Sequence, residues 1–110
     1  MLETNCGERQ ELPLIGCGNV VGRRNKGTDV DIAIESSDAD LERRHCIIHV
    51  RLNKRGEPVY TLRDCSARSG TYLRQDRLGK RDQVRLGHAD IVSIGGTTFI
   101  LHLPGGDEEE

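Results

Sequence analysis

The stretch Arg63–Leu73, which reads RDCSARSGTYL, decides the fold. It joins the end of one alternating apolar run to the start of another through a short polar turn that contains a glycine. This pattern predicts a loop that is held between two β-strands and offered to a partner. The stretch carries no catalytic constellation of nucleophile, base and orienting group, so it favours recognition over catalysis.

Alternating apolar residues on both sides of this loop predict further strands, with turns every several residues. Pro13 confines the first strand to a sheet edge, and Gly95-Gly96 is typical of a hairpin turn. Residues 74–81 are polar and basic, which predicts a loop. The predicted strands cover residues 11–15, 19–21, 31–35, 46–52, 59–64, 71–73, 83–86, 91–94 and 97–103. The sequence therefore predicts an all-β antiparallel sandwich with no substantial helix.

The segment 41–52 is the ambiguous one. The pattern Ser37-x-x-Asp40 is that of a capping box, which would open a helix through residues 42–44. The β-branched residues and the alternation of residues 46–52 favour a strand instead. For the domain organisation we expect a flexible N-terminal segment at 1–10, one domain at 11–104, and the acidic start of a linker at 105–110.

Charge is unevenly distributed along the 110 residues. The formal net charge is −2, yet residues 42–86 hold 12 Arg or Lys against 5 Asp or Glu. A basic middle predicts either a patch for an anionic partner or strand edges protected by charge, and the charge pattern alone leaves both open.

The four cysteines lie far apart, with no Cys/His cluster at zinc spacing, so we expect no metal and no cofactor. No signal peptide is visible, and no apolar run is long enough to cross a bilayer. These features predict a reduced intracellular protein with unpaired thiols and no membrane contact.

Five short motifs follow one another in the order and spacing of a known family. They are Gly22-Arg23, residues 31–34 (DIAI), His45, residues 69–71 (SGT) and residues 87–95 (GHADIVSIG). Together they resemble the forkhead-associated (FHA) domain from about Leu12 to Leu103. The resemblance implies a sandwich of about eleven strands whose loops at one end bind phosphothreonine peptides. Residues 62–65 with Gly70-Thr71 also resemble the N-terminal FHA module of DNA-damage checkpoint mediator adaptors.

The resemblance also implies which residues form the site. Residues that face the phosphopeptide would be Arg23, Glu42, Arg43, Arg68 and Ser69, and residues that brace the loops would be Gly22, His45, Gly70 and Thr71. Arg23 would hold the phosphate, and Arg43 lies where some members present a second basic contact.

Two of these positions depart from the family pattern. Glu42 replaces a serine that donates a hydroxyl to the phosphate, and a carboxylate there repels a dianion by on the order of several kcal/mol unless it is neutralised. An internal ion pair with Arg23, Arg43 or Arg68 would neutralise it. Ser69 replaces an asparagine that bonds the peptide backbone, which removes about 0.5–1.5 kcal/mol.

We therefore expect a protein-interaction module that recognises phosphothreonine-containing protein segments through a weakened, selective pocket. The resemblance implies a nuclear adaptor of the DNA-damage response or chromosome maintenance. The alternative is a homodimerisation module with a decayed pocket, in which the edge strand with Pro13 and the aliphatic strands present an apolar patch. We expect neither an enzyme nor direct nucleic-acid binding, because the resemblance assigns the basic residues to peptide-binding loops and no aromatic residues interleave them.

Overall fold

The structure is a computed structural model that describes residues 1–4, 10–12, 14, 17–24 and 30–103. These residues form eleven strands and no helix. The strands are β1 (Leu2–Thr4), β2 (Gln10–Leu12), β3 (Gly18–Arg23), β4 (Ile32–Ile34), β5 (Cys46–Leu52), β6 (Pro58–Asp64), β7 (Thr71–Leu73), β8 (Asp76–Arg77), β9 (Val84–Leu86), β10 (Ile91–Ile94) and β11 (Thr97–Leu101).

The strands form two sheets. The six-stranded sheet has the order β2-β1-β11-β10-β7-β8, and the five-stranded sheet has the order β4-β3-β5-β6-β9. Every pairing is antiparallel except that of β3 with β4, which is parallel. The all-β sandwich of about eleven strands is confirmed, and the single parallel pairing is the difference from the purely antiparallel sandwich that the sequence predicted.

Alternation places the apolar side chains of both sheets in one shared core. In β11 the residues Thr97, Phe99 and Leu101 are buried while those between them are half-buried. Phe99 is the largest fully buried side chain, and aliphatic residues supply most of the remaining core. Burial of each large apolar side chain contributes about 1.5–3 kcal/mol, so this period-two pattern fixes the register of the strands.

Two local predictions differ from the structure, and a third falls partly outside the described residues. Leu2–Thr4, expected to be flexible, form β1 between β2 and β11, with Leu2 fully buried. Asp76–Arg77, inside the predicted loop 74–81, form the short edge strand β8 beside β7. The predicted strand 11–15 is described only as β2, because Pro13 and Ile15 lie outside the described residues, as do Cys6 and the acidic end of the chain.

The ambiguous segment resolves as the strand that the β-branched pattern favours. Strand β5 covers Cys46–Leu52, and residues 35–45 form the loop between β4 and β5 with Leu41 fully buried. This β4–β5 loop, the end of β3 and the β6–β7 loop (residues 65–70) meet at one end of the sandwich. The backbone N–H of His45 donates to the Val21 carbonyl at 2.9 Å, and the backbone N–H of Cys65 donates to the His45 carbonyl at 3.0 Å.

Candidate functional site

The end of β3 supports the β4–β5 loop through direct backbone contact. A Cβ atom at Gly22 would lie 1.8 Å from the carbonyl oxygen of Arg43, so only glycine fits beneath this loop. Next to it, Arg23 donates its N–H to the Glu42 carbonyl and its Nε–H to the Leu41 carbonyl, both at 2.9 Å. The two bonds leave the terminal nitrogens of the Arg23 guanidinium with no other hydrogen bond to the described residues.

His45 joins the two loops from below. Its side chain is fully buried, its Nδ1 accepts the N–H of Glu42 at 3.2 Å, and its Nε2 lies 2.8 Å from the Gly70 carbonyl. An N–H donor at Nδ1 and a carbonyl acceptor at Nε2 together require the neutral imidazole with its proton on Nε2. A buried neutral histidine with both nitrogens bonded holds the loops at a fixed distance from each other.

A second buried group holds the β6–β7 loop. The Thr71 hydroxyl, fully buried, donates to one oxygen of Asp64 at 2.6 Å. The other Asp64 oxygen accepts the N–H of Ser66 at 2.9 Å, and Ser66 adopts a positive φ of 65°. Gly70 closes the loop with a φ of 84°, a conformation that favours glycine. The sequence analysis missed Asp64, although an aspartate two residues before a turn residue is the signal of an Asx turn.

Asp38 anchors the other side of the β4–β5 loop, and the sequence analysis also missed it. One of its oxygens accepts the Asp40 N–H at 3.0 Å, and the other accepts the Gly96 N–H at 2.6 Å and the Thr97 hydroxyl at 3.2 Å. Burial raises the pKa of this carboxyl, but the bonds from Asp40, Gly96 and Thr97 outweigh it and leave the pKa lowered. The loop is therefore tied to the β10–β11 turn as well as to β3.

Glu42 and Ser69 connect the two loops where a ligand would lie. The Glu42 carboxylate accepts the backbone N–H of Arg68 at 2.7 Å, and the Ser69 hydroxyl donates to the Asp40 carbonyl at 2.9 Å. The sequence left open whether an arginine side chain pairs with Glu42. In the structure a backbone N–H is its hydrogen-bond donor, and none of the ion pairs between described residues includes it.

Two concave regions lie on either side of Glu42. The first, of about 500 Å³, is lined by Arg23, Ala39, Glu42, Arg43 and Arg44. The second, of about 410 Å³, is lined by Ala39, Asp40, Glu42, Arg68 and Ser69. We call the two together the candidate pocket. The structure thus brings all five predicted ligand-facing residues to one end of the sandwich and adds Arg44, which the sequence analysis did not select.

The described residues contain no group of three or more His, Cys, Asp or Glu side chains arranged to hold a metal ion. Nor do they contain a helix long and apolar enough to span a bilayer. Cys17, Cys46 and Cys65 are free thiols, and burial raises the pKa of Cys46 well above its ordinary value.

The sandwich with its braced loops at one end defines the class of this protein. The FHA domain family matches residues 19–95, so the chain belongs to the FHA family. No match was found among curated proteins.

Solved structures share the fold over nearly the whole chain. Full-length yeast Pml1p superposes with a TM-score of 0.72 at 21% identity, over 90% of this chain and 77% of that one. An FHA domain of an Arabidopsis thaliana protein gives 0.69 at 23% identity, over 99% and 90%. The MEK1 FHA domain, solved with a phosphothreonine peptide of HOP1, gives 0.69 at 18% identity, over 94% and 96%.

Proposed function

We propose that this FHA domain is a protein-interaction module that binds phosphothreonine-containing protein segments in the candidate pocket. The observation that carries the proposal is the convergence of Arg23, Arg43 and Arg44 on one concave region beside backbone that is fixed from below. Arg23 holds its Nε on the Leu41 carbonyl at 2.9 Å, which orients the guanidinium before any ligand arrives. A pre-oriented guanidinium loses little side-chain entropy on binding and matches the geometry of a phosphate.

The comparison with the MEK1 FHA domain supports this proposal, since that domain was solved with a phosphothreonine peptide. Phosphate carries close to two negative charges at neutral pH and three acceptor oxygens. Three arginines on one concave wall supply both the charge and the donors that such a group requires.

Glu42 and Ser69 make the proposed site weaker and more selective than three arginines alone would. Glu42 lines both concave regions, so its carboxylate faces a bound phosphate at short range. The N–H of Arg68 offsets part of its charge but does not remove it. Ser69 already uses its hydroxyl proton on Asp40, so this hydroxyl donates to a ligand only if that internal bond breaks. Affinity therefore depends on ligand contacts outside the phosphate.

A comparison of two neighbouring arginines tests the proposal. We would select the best binder from a phosphothreonine peptide library and titrate it against Arg23→Ala and Arg24→Ala. Arg23→Ala should weaken binding by about 10- to 100-fold, the value of a charge-assisted hydrogen bond. Arg24 is the matched control, because Glu35 already pairs with its guanidinium, with Nε and Oε2 2.6 Å apart. The proposal is wrong if no phosphopeptide binds better than its unphosphorylated twin.

The cellular setting is part of the same proposal. The likeness of residues 62–65 and Gly70-Thr71 to checkpoint mediator adaptors supports a nuclear protein of the DNA-damage response or chromosome maintenance. Tagged full-length protein should then concentrate at sites of induced DNA breaks, and Arg23→Ala should abolish that recruitment. Wild-type protein that stays away from breaks would remove this setting and leave the binding chemistry untouched.

Homodimerisation is the second candidate. It is supported by the position of β2 at the edge of the six-stranded sheet, where no other strand of the described residues pairs with its outer backbone groups. Light scattering on a gel-filtration peak measures the mass directly. A monomer at concentrations well above those of the binding assays would exclude this alternative.

A further inference from the structure

The outer face of the five-stranded sheet is a second surface with its own chemistry. In the strand register, Thr61 of β6 lies between His49 of β5 and Arg85 of β9. Two residues after Thr61 on β6, Arg63 lies opposite Ile47 of β5. Two residues before Thr61, Val59 lies opposite Arg51 of β5. The residues between these positions, such as Ile48, Leu62 and Leu86, are buried in the core. Alternation therefore directs Arg51, Arg63, Arg85 and His49 away from the core.

We call these four residues the basic face. Arg51, Arg63 and Arg85 are exposed, and no ion pair between described residues includes any of them. His49 turns its ring over β3, since a Cβ at Gly18 would lie 3.8 Å from its Nδ1. No outward position of the five strands carries Asp or Glu. Asp64, next to Arg63, is buried and accepts hydrogen bonds from Thr71 and Ser66. Asp82, three residues before Arg85, accepts the N–H of Gly79. At the ends of the strands, Asp31 accepts the N–H of Val20 and Glu57 accepts the side-chain amide of Asn53.

The outer face of the opposite sheet carries charges of both signs. Glu3 and Glu11 lie directly across from each other in β1 and β2, and Arg77 of β8 lies across from Tyr72 near the other edge. Residues 11–104 hold 15 Arg or Lys against 12 Asp or Glu. The basic face nevertheless carries three arginines and no carboxylate at an outward strand position, so positive charge is concentrated there. Segregation of this kind creates a local positive potential that attracts an anionic partner of limited size.

The spacing of the arginines selects an extended polypeptide as that partner. Residues two apart on a strand are separated by about 6.7 Å and neighbouring strands by about 4.8 Å, so the Cα atoms of Arg63 and Arg85 are about 8 Å apart. The same geometry places Arg51 and Arg63 about 14 Å apart. An extended peptide repeats its same-side residues every 6.7 Å or so, which brings carboxylates at alternate positions within reach of successive guanidinium groups.

The basic face also continues towards the candidate pocket. Burial and Asp64 raise the pKa of the Cys65 thiol, while Arg63 and Arg44 act on it in the opposite direction. The Cys65 N–H donates to the His45 carbonyl at 3.0 Å, which brings the chain at Arg63, two residues before Cys65, close to Arg44, the neighbour of His45. Arg44 also lines the first concave region of the candidate pocket. A ligand anchored in the pocket can extend along this path without crossing to the six-stranded sheet.

We propose that the basic face binds an Asp/Glu-rich segment of the same protein that supplies the phosphothreonine. This inference rests on the proposed function, because the phosphothreonine anchors the segment and raises its effective concentration at the face. It also supplies the contacts that a pocket weakened by Glu42 requires. The acidic segment adds affinity through three exposed arginines and does so more strongly at low salt.

Duplex DNA fits these observations less well. DNA carries a charge about every 1.7 Å along its axis, whereas the basic face offers three arginines spread over about 14 Å, so most phosphates of a duplex laid on it would meet no cation. The outward strand positions hold no Phe, Tyr or Trp on which single-stranded bases could stack.

The test uses a phosphothreonine peptide alone, the same peptide with an acidic tract on either side, and the acidic tract without phosphothreonine. The protein variants are R51Q/R63Q/R85Q, Arg23→Ala, and the control R74Q/K80Q/R81Q, which removes the same charge from exposed residues outside the basic face. Thermal unfolding confirms that each variant is folded. We expect one tract-bearing peptide to bind about tenfold tighter than the core peptide. This gain should vanish in R51Q/R63Q/R85Q and persist in the control.

Each alternative result has a definite meaning. Equal affinity with and without either tract, or a gain that survives R51Q/R63Q/R85Q, overturns the inference. If the core peptide binds no better than its unphosphorylated twin, the proposed function fails. Binding of the unphosphorylated acidic tract then tests by itself whether the basic face binds acidic segments. Tract binding that is lost in R51Q/R63Q/R85Q supports the face, and no tract binding overturns it. Duplex DNA that binds tighter than the tract and depends on the same arginines assigns the face to nucleic acid and overturns the inference.

Discussion

The floor and the rim of the candidate pocket are built on different principles. The floor consists of Gly22, His45, Asp64 and Thr71, which are all buried and whose polar side chains are bonded inside the protein. The rim consists of Arg23, Glu42, Arg43, Arg44 and Arg68, which are exposed or half-buried. Changes in the floor should therefore alter the free energy of unfolding, while changes in the rim should alter affinity and leave stability almost unchanged.

The largest effect is expected at Gly22. In Gly22→Ala the new methyl group would meet the Arg43 carbonyl at 1.8 Å, and backbone cannot move aside as a flexible side chain can. We expect a loss of about 4 kcal/mol or more in the free energy of unfolding, or no folded protein at all. Urea denaturation measures the loss.

Gly18→Ala is the matched control in the same strand. Among the described residues, a Cβ at Gly18 meets only His49, at an ordinary contact distance of 3.8 Å, so this change should cost less than about 1 kcal/mol. Equal losses at both glycines would show that the contact between β3 and the β4–β5 loop does not hold the floor.

A smaller but still large effect is expected at His45. His45→Ala leaves the Gly70 carbonyl and the Glu42 N–H without their buried partner and opens a cavity between the loops. We expect a loss of about 2–4 kcal/mol by urea denaturation. His49→Ala, on the outer face of β5, which begins directly after His45, should cost under about 1 kcal/mol. A stable His45→Ala variant that still binds phosphopeptide would show that the floor does not need this brace.

At the rim, Glu42→Gln separates charge from hydrogen bonding. Glutamine keeps an oxygen that can accept the Arg68 N–H, now held at 2.7 Å, and removes the negative charge. We expect phosphothreonine peptides to bind about 5- to 10-fold tighter, which corresponds to about 1 kcal/mol, with little change in stability. Isothermal titration with matched phosphorylated and unphosphorylated peptides measures the affinity, and urea denaturation measures the stability. An unchanged affinity would mean that the Arg68 N–H already neutralises Glu42 towards the ligand.

The sequence predicts the features that depend on local patterns and misses those that depend on contacts between distant residues. Strands such as β5 and β11 follow from alternation, a local pattern in which each residue's face depends on its neighbours. Strand β1 was missed because it is three residues long and its partner β11 lies at the other end of the chain. The bond of Glu42 to Arg68 spans 26 positions, and the bond of Asp38 to Gly96 spans 58. Such bonds depend on how the loops fold back, which no local pattern encodes.

The smallest effect concerns pH, at Asp38 on the border of floor and rim. Its pKa lies below the ordinary 3.8, because bonds from Asp40, Gly96 and Thr97 outweigh the opposite effect of burial. The ionised carboxylate therefore stabilises the fold at pH values above the unfolded pKa, and this contribution is lost as the pH falls through the lower, folded pKa. Asp38→Asn should cost about 1 kcal/mol at neutral pH, because asparagine cannot accept all of these bonds.

The difference between wild type and Asp38→Asn should shrink below about pH 4, since protonation removes the same charge from the wild type. Urea denaturation of both proteins at neutral and acid pH gives this difference directly. Other carboxylates titrate alike in the two proteins, so their contribution cancels. A difference that stays constant down to about pH 3 would show that the β4–β5 loop uses Asp38 for its shape and not for its charge.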